Sequence, residues 1–217
     1  MAKGDREDKE KIVCSYLLLC EGRDEMEFLI TYLNAHLIGE NQKYDDIQII
    51  DFKGIKQLTK KLRALTAVEG FDNVKGIAII RDAETNAAGA QQSIVSSLGI
   101  CGIDGNLFSS NPYYLFPGKD SNGNWQNGTL EDLCIEIISD NILEEVSAND
   151  LLLRCETFLG TVETARGIGF TRKHKNLLHT YFSATDKFVD LKIGEAARAG
   201  AFNWQHTKLK DLKVFLL

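Results

Sequence analysis

The feature that most constrains this chain is an apolar run, Ile12 to Cys20, broken only by Ser15 and ended by Glu21-Gly22. A run of that length without period-two alternation fits a strand buried on both faces, as in a parallel sheet covered by helices. Two further short runs, Ile47 to Phe52 and Val74 to Ile80, read the same way, and Tyr113 to Phe116 makes a fourth before Pro117-Gly118. Helical patterns lie between them. Phe28, Leu29, Tyr32, Leu33, His36 and Leu37 share one face, Ile55, Leu58, Leu62 and Leu65 another, and Ile94, Val95 and Leu98 a third within Ala87 to Leu98. Strand alternating with helix predicts an α/β fold, a mainly parallel sheet flanked by helices.

The rest of the chain reads as helix. Thr129 is placed to cap a helix carrying Leu130, Leu133, Ile137 and Ile138. From about Asn149 there are only helical sets: Leu151, Leu152, Cys155, Phe158 and Leu159; Leu177, Leu178, Tyr181 and Phe182; and a terminal one with Leu209, Leu212 and Phe215. The expected organisation is a flexible, solvated tail over 1–11, an α/β domain over 12–148, and a helical extension over 149–217 packed on that domain. With 217 residues, 44% hydrophobic and 26% charged, the chain is long enough for one sizeable core.

Composition excludes several classes. No apolar run is long enough to span a bilayer, so no membrane association is expected, and residues 1–11 mix acids with bases rather than following the plan of a secretory signal. The 5 cysteines form no C-x-x-C pair. On an extended strand Cys14 and Cys20 lie roughly 20 Å apart, beyond disulfide reach. Reduced thiols in a cytoplasmic setting are expected. Asn127-Gly128-Thr129 marks a loop. A net charge of −6 argues against a broad basic face for duplex nucleic acid, so any such contact must use a local basic patch or bound metal. There is no P-loop, no G-x-G-x-x-G and no G-x-S-x-G.

Acids gather where an open parallel sheet places its function, beyond the carboxyl ends of the strands. Glu21 follows the first strand; Asp82 and Glu84 follow the third, within Arg81-Asp82-Ala83-Glu84. First and third strands are commonly neighbours in such folds, which would let the three carboxylates converge. Two carboxylates about 4 Å apart repel by roughly 4 kcal/mol at an effective dielectric of 20, and a divalent cation such as Mg²⁺ or Mn²⁺ removes that repulsion. Any one of these acids alone reads equally well as a solvated loop residue.

The pattern Glu21-Gly22 followed by Asp82-x-Glu84 resembles the Toprim domain, whose motif is Glu-Gly after the first strand and Asp-x-Asp after a later one. The general likeness covers about residues 12 to 120. Phe116-Pro117, Gly128-Thr129-Leu130-Glu131-Asp132, the pattern around Lys175, His179 and Tyr181, Gly194-Glu195-Ala196 and Phe202-Asn203-Trp204 look like an uncharacterised Toprim-like family related to OLD-type nuclease domains. The resemblance implies a Rossmann-like Toprim fold and metal-dependent phosphodiester chemistry on nucleic acid, most simply nuclease-like hydrolysis. Glu21, Asp82 and Glu84 would hold metal, and Glu21 is alternatively a general acid or base. Glu84 in place of the second aspartate sets that carboxylate one methylene further out.

Secondary candidates follow. Glu131 is either a further metal ligand or, with Asp132, a complement to a helix dipole and an aid to its cap. Arg172-Lys173-His174-Lys175, with Arg166 shortly before it, is either a solvated face or a phosphate clamp in which Lys175 stabilises developing negative charge. Gly22, Arg23, Asp24, Arg172 and Lys173 are the candidate substrate-binding residues. His174 and His179, five apart, are assigned no metal, and His36 reads as structural. Trp125 is either a base-stacking residue or a loop anchor. No tyrosine can be singled out as a nucleophile. The competing expectation is a non-enzymatic module that binds metal and a nucleotide, or meets a protein partner or a second copy of itself.

Overall fold

The computed structural model describes residues 3–4, 11–36, 45–103, 111–138 and 147–216, with the side chains of residues 3, 4 and His36 excepted. Leu37 and the expected tail over 5–10 lie outside these. The core is a parallel sheet of four strands, β2 (Tyr16–Cys20), β3 (Ile47–Asp51), β4 (Gly76–Asp82) and β5 (Tyr113–Phe116), in the order β3-β2-β4-β5. A two-residue strand, β1 (Lys3–Gly4), pairs in parallel with the free edge of β3, so these two residues of the expected tail join the sheet.

Alternation sorts the strand residues onto two faces. Leu18, Cys20, Ile47, Ile49, Ala78, Ile80, Tyr114 and Phe116 enter one apolar cluster; Leu17, Leu19, Ile50, Ile77, Ile79, Tyr113 and Leu115 enter the other. Both faces are covered, as the continuous apolar runs require. The second face carries α2 (Leu58–Leu65), through Leu58, Leu62 and Leu65, and α3 (Ala87–Ile100), through Ala90, Ile94 and Leu98. The first face carries α1 (Arg23–His36), α4 (Leu130–Glu136) and the helices that follow: α5 (Ala148–Arg166), α6 (Lys173–Ser183), α7 (Ile193–Arg198) and α8 (Lys210–Leu216). Burying each large apolar side chain contributes about 1.5–3 kcal/mol.

Four strand boundaries differ from expectation: β3 ends at Asp51 rather than Phe52, β4 begins at Gly76 rather than Val74, and the other two differ for reasons visible in the hydrogen bonds. β2 begins at Tyr16 rather than Ile12 because side chains and a loop take the earlier amides: Val13 N–H donates to Gln48 Oε1 (3.0 Å), Ser15 N–H to Asp46 Oδ1 (2.9 Å) and Ile12 N–H to Glu69 O (3.2 Å). β4 runs two residues further than expected because β5 continues the ladder through Arg81–Leu115 and Asp82–Phe116. Asp82 is therefore the last residue of a strand, not a residue of the loop beyond it.

The C-terminal helices share the first face's cluster with the sheet. Phe28 of α1 packs against Phe202 and Trp204 with ring centroids 5.7 and 5.1 Å apart, and Tyr114 of β5 meets Phe215 at 5.6 Å. α7 lies so close to α1 that a Cβ on Gly194 would stand 2.3 Å from Glu27 Cβ. Gly194→Ala should therefore cost about 1–3 kcal/mol by overpacking. A urea titration should show a lower midpoint with an unchanged slope; an unchanged midpoint would mean that α7 shifts away without penalty.

Candidate active-site cleft

The parallel register between β2 and β4 sets Cys20 beside Ile80, so β2 ends there while β4 runs on two residues, Arg81 and Asp82, paired with β5 at the same edge of the sheet. Glu21 and Asp82 lie at that edge of the sheet, and the backbone of Ile55 and of Asp82 lies near enough to the Glu21 carboxylate to favour its charged form slightly, against the larger effect of burial. The expected neighbourhood of first and third strands is thus present. A cleft of about 980 Å³ opens above these strand ends. Glu21, Asp82, Glu84, Glu131 and Lys175 line it, as do Gly22, Arg23, Asp24, Arg172 and Lys173.

Each acid is held differently. Asp82 Oδ1 accepts the N–H of Leu130, the first residue of α4, at 2.8 Å. Arg81, only 2% exposed, reaches Glu21 Oε2 at 3.7 Å and donates from Nε to the Asp82 carbonyl at 3.0 Å. Among the described residues, Glu21 Oε2 and Arg81 Nη1 are buried without hydrogen-bond partners. Glu131, also buried, pairs with Lys175 Nζ at 3.1 Å. Glu84 is exposed and sits in the left-handed region at φ 54°; its N–H and C=O both bond Gly128, at 2.8 and 2.7 Å. Gly128 is needed there, because its φ is 139° and a Cβ would stand 2.9 Å from Pro117 Cδ.

The capping reading of Asp132 is what the geometry shows. Its Oδ2 accepts the N–H and hydroxyl of Thr129 at 2.8 and 2.9 Å, fixing the start of α4, while Oδ1 contacts His174 Nδ1. Of the basic run, Lys173 pairs with Glu156 on α5 at 3.6 Å and Arg172 is exposed at the head of α6. Arg166 lies over the Phe170 ring, away from the cleft. Trp125 is the loop anchor: it packs on Tyr113 and Tyr114 with centroids 6.0 and 5.1 Å apart and does not line the cleft.

Sequence reasoning passed over Glu25. It stands in the first turn of α1, and its carboxylate folds back over Gly22, where a Cβ would meet Oε2 at 2.8 Å. The available signal was the density of acids, Glu21, Asp24, Glu25 and Glu27, within seven residues. Burial, then the charges of Glu21, Asp24 and Glu131, raises Glu25 to a pKa of about 7. Burial, then Glu25, Glu131 and Glu21, raises Asp82 to about 9 despite the Leu130 hydrogen bond. Glu21 is raised as well, chiefly by burial, with Arg81 opposing. Glu131 alone is lowered: burial pushes it up, but its own backbone amide and Lys175 outweigh that. Glu131 is thus held in its charged form, while Asp82, at about 9, holds a proton at neutral pH.

Every oxygen offered here is a hard donor suited to Mg²⁺ or Mn²⁺. Among the described residues, however, no group of three His, Cys, Asp or Glu side chains is arranged to hold a metal ion by itself. The donor set therefore fits an ion that keeps much of its water and takes further oxygens from a ligand, as Mg²⁺ commonly does. The five cysteines are free thiols, and among the described residues no helix is long and apolar enough to cross a membrane.

The raised carboxyl groups have a pH consequence. Between the unfolded pKa of Asp, about 3.9, and the folded value of about 9, the folded state binds more protons than the unfolded one. Stability therefore falls as pH rises through that window. Asp82→Asn keeps an acceptor for Leu130 N–H and does not titrate. It should flatten the curve of melting temperature against pH and stabilise the metal-free protein near pH 8 by roughly 1–3 kcal/mol. A variant as steep as the wild type, or less stable near pH 8, would show that Asp82 is not crowded by the other acids.

The chain belongs to a family described as a protein of unknown function, DUF3226, which matches residues 15–217. No curated protein and no solved structure matches it.

Proposed function

We propose that this DUF3226 protein uses the cleft for Toprim-like, divalent-metal-dependent phosphodiester chemistry on nucleic acid, in the form of nuclease-like hydrolysis. The observation that carries the reading is the crowding of Glu21, Glu25, Asp82 and Glu131 at the ends of adjacent parallel strands. Burial, and then their mutual repulsion, raise two of them to about 7 and about 9. A chain gains nothing in stability from such a cluster, and a cation removes its cost.

Glu21 and Asp82 would hold the ion, with Glu84, Glu131 and the newly recognised Glu25 as further oxygen donors. Bound there, a divalent cation would neutralise phosphate charge and lower the pKa of a coordinated water. Arg81 keeps Glu21 oriented and partly neutralised. Lys175 brings a positive charge to where negative charge would develop on the phosphate. Arg23, Arg172 and Lys173 stand at the cleft wall to meet neighbouring phosphates. In the metal-free cleft Glu25, with a pKa of about 7, can take or return a proton near neutral pH; where it does not itself hold the ion, that capacity suits it to acid–base work.

One observation favours a second reading. With Arg81 on Glu21 and Lys175 on Glu131, the cleft already carries internal counter-charges, which suits a module that binds metal and a nucleotide without cleaving it. Cleavage assays on single-stranded and duplex DNA and RNA with Mg²⁺ or Mn²⁺ separate the two. Under the first reading the wild type cleaves, chelation abolishes cleavage, and Glu21→Gln or Asp82→Asn each lowers the rate by at least ~100-fold, about 2.7 kcal/mol of transition-state stabilisation. Metal-dependent nucleotide binding without cleavage of any of the four substrates would leave the second. If Mg²⁺ and Mn²⁺ change neither binding nor melting temperature in the presence of nucleic acid, both readings fail.

A further inference from the structure

On the far side of the sheet from the cleft's cationic wall, charge is distributed unevenly. Residues 52–68 contain five bases and no acid, and residues 85–103, which include α3, contain no charged residue at all. In a chain of net charge −6, this α2–α3 layer has no carboxylate along these stretches to offset its bases. Leu58, Leu62 and Leu65 bury one face of α2. The helical period then sends Lys60 and Arg63, together with Lys56 from the preceding 3₁₀ turn, to the opposite face, where all three are exposed. Lys53, also exposed, precedes them at the end of β3 in a left-handed conformation with φ 59°.

This strip is fastened to the cleft. Gly54 N–H donates to the Glu21 carbonyl at 2.8 Å. The turn that starts the strip is thus bonded directly to the acid at the centre of the cleft. From Lys56 to Arg63 the helical rise spans about 10 Å, enough to meet two or three successive phosphates of one strand.

We propose that Lys53, Lys56, Lys60 and Arg63 form a second phosphate-binding strip, which grips a nucleic-acid backbone as it leaves the cleft past Glu21. The inference rests on the nucleic-acid reading of the cleft and adds to it the path of the substrate. The strand runs from Arg172 and Lys173 on the cleft wall, over the acids, and past Glu21 to the outer face of α2 beyond the cleft. The contacts are to phosphate, so they add affinity and register but no base preference.

The test replaces Lys56, Lys60 and Arg63 together by Gln, which keeps helix propensity, with Lys56→Arg, Lys60→Arg, Arg63→Lys as the charge-preserving control. Affinity for a duplex of roughly 30 base pairs is measured against salt, where each lost phosphate contact lowers the log–log slope by ~0.9. Metal-dependent hydrolysis of bis(p-nitrophenyl) phosphate, which is too small to reach the strip, is measured in parallel. The expected result is a slope lower by about two to three in the Gln variant, a wild-type slope in the control, and unchanged hydrolysis of the small diester. A wild-type slope in the Gln variant overturns the strip while leaving the cleft reading standing. Duplex binding through the strip with no hydrolysis of either substrate overturns nuclease action instead. A Gln variant that loses binding to phosphatidylserine vesicles but keeps duplex affinity assigns the strip to a membrane and overturns the proposal, as does a wild type that binds no nucleic acid.

Discussion

The pairing of β2 with β4 governs the rest of this structure. Because the two strands run in parallel and in register, Leu19 beside Ile79 and Cys20 beside Ile80, their last residues reach the same edge of the sheet. Glu21 and Asp82, sixty-one positions apart in the chain, become neighbours at that edge. Everything that builds the cleft is then arranged around that edge. α1 starts there and brings Glu25; α4 starts there and spends its first amide on Asp82; α6 closes over it and sets Lys175 on Glu131. Unlike charges and helix ends are used to hold like charges together.

The protein meets the cost of that crowding by dividing the acids into two kinds. Glu131 has a lysine, a free helix-end amide and a lowered pKa. Asp82 and Glu25 have little opposing charge and are driven upward, so the apo cleft holds protons where a bound cation would hold charge. Arg81 stands between these cases: buried at the strand end, with Nη1 unsatisfied among the described residues, it steadies Glu21 without neutralising it fully. Such buried pairs add little net stability, because desolvation offsets most of the attraction. Their effect here is to fix the direction in which Glu21 points.

Much of this was legible in the chain itself, and the reasons are physical. Strands buried on both faces have nowhere to put polar residues, so Ile12 to Cys20 and Val74 to Ile80 announce themselves and the acids that end them. Thr129 and Asp132 were readable as a cap because capping depends on a local spacing. The details that escaped depend on distant partners. Asp46 and Gln48 capture the amides of Ser15 and Val13 and delay β2, and pairing with β5 carries β4 on to Asp82. Glu25 was hidden because an acid in a first helical turn is ordinary by itself; only the fold sets it against Asp82. Trp125 in a polar loop was ambiguous until the rings of Tyr113 and Tyr114 were placed beneath it.

The backbone at Glu84 shows what the cleft costs its owner. A φ of 54° is a conformation that asparagine, aspartate and glycine adopt more readily than glutamate, and holding an ill-suited residue there costs on the order of 1–3 kcal/mol. The antiparallel bridge to Gly128 supplies two hydrogen bonds that hold it in place. Selection for a long-lived fold alone would drive position 84 toward asparagine or glycine. A lineage that keeps glutamate there is retaining a longer carboxylate at the rim against that drift, and the identity of this one residue across descendants of the chain would record which pressure has prevailed.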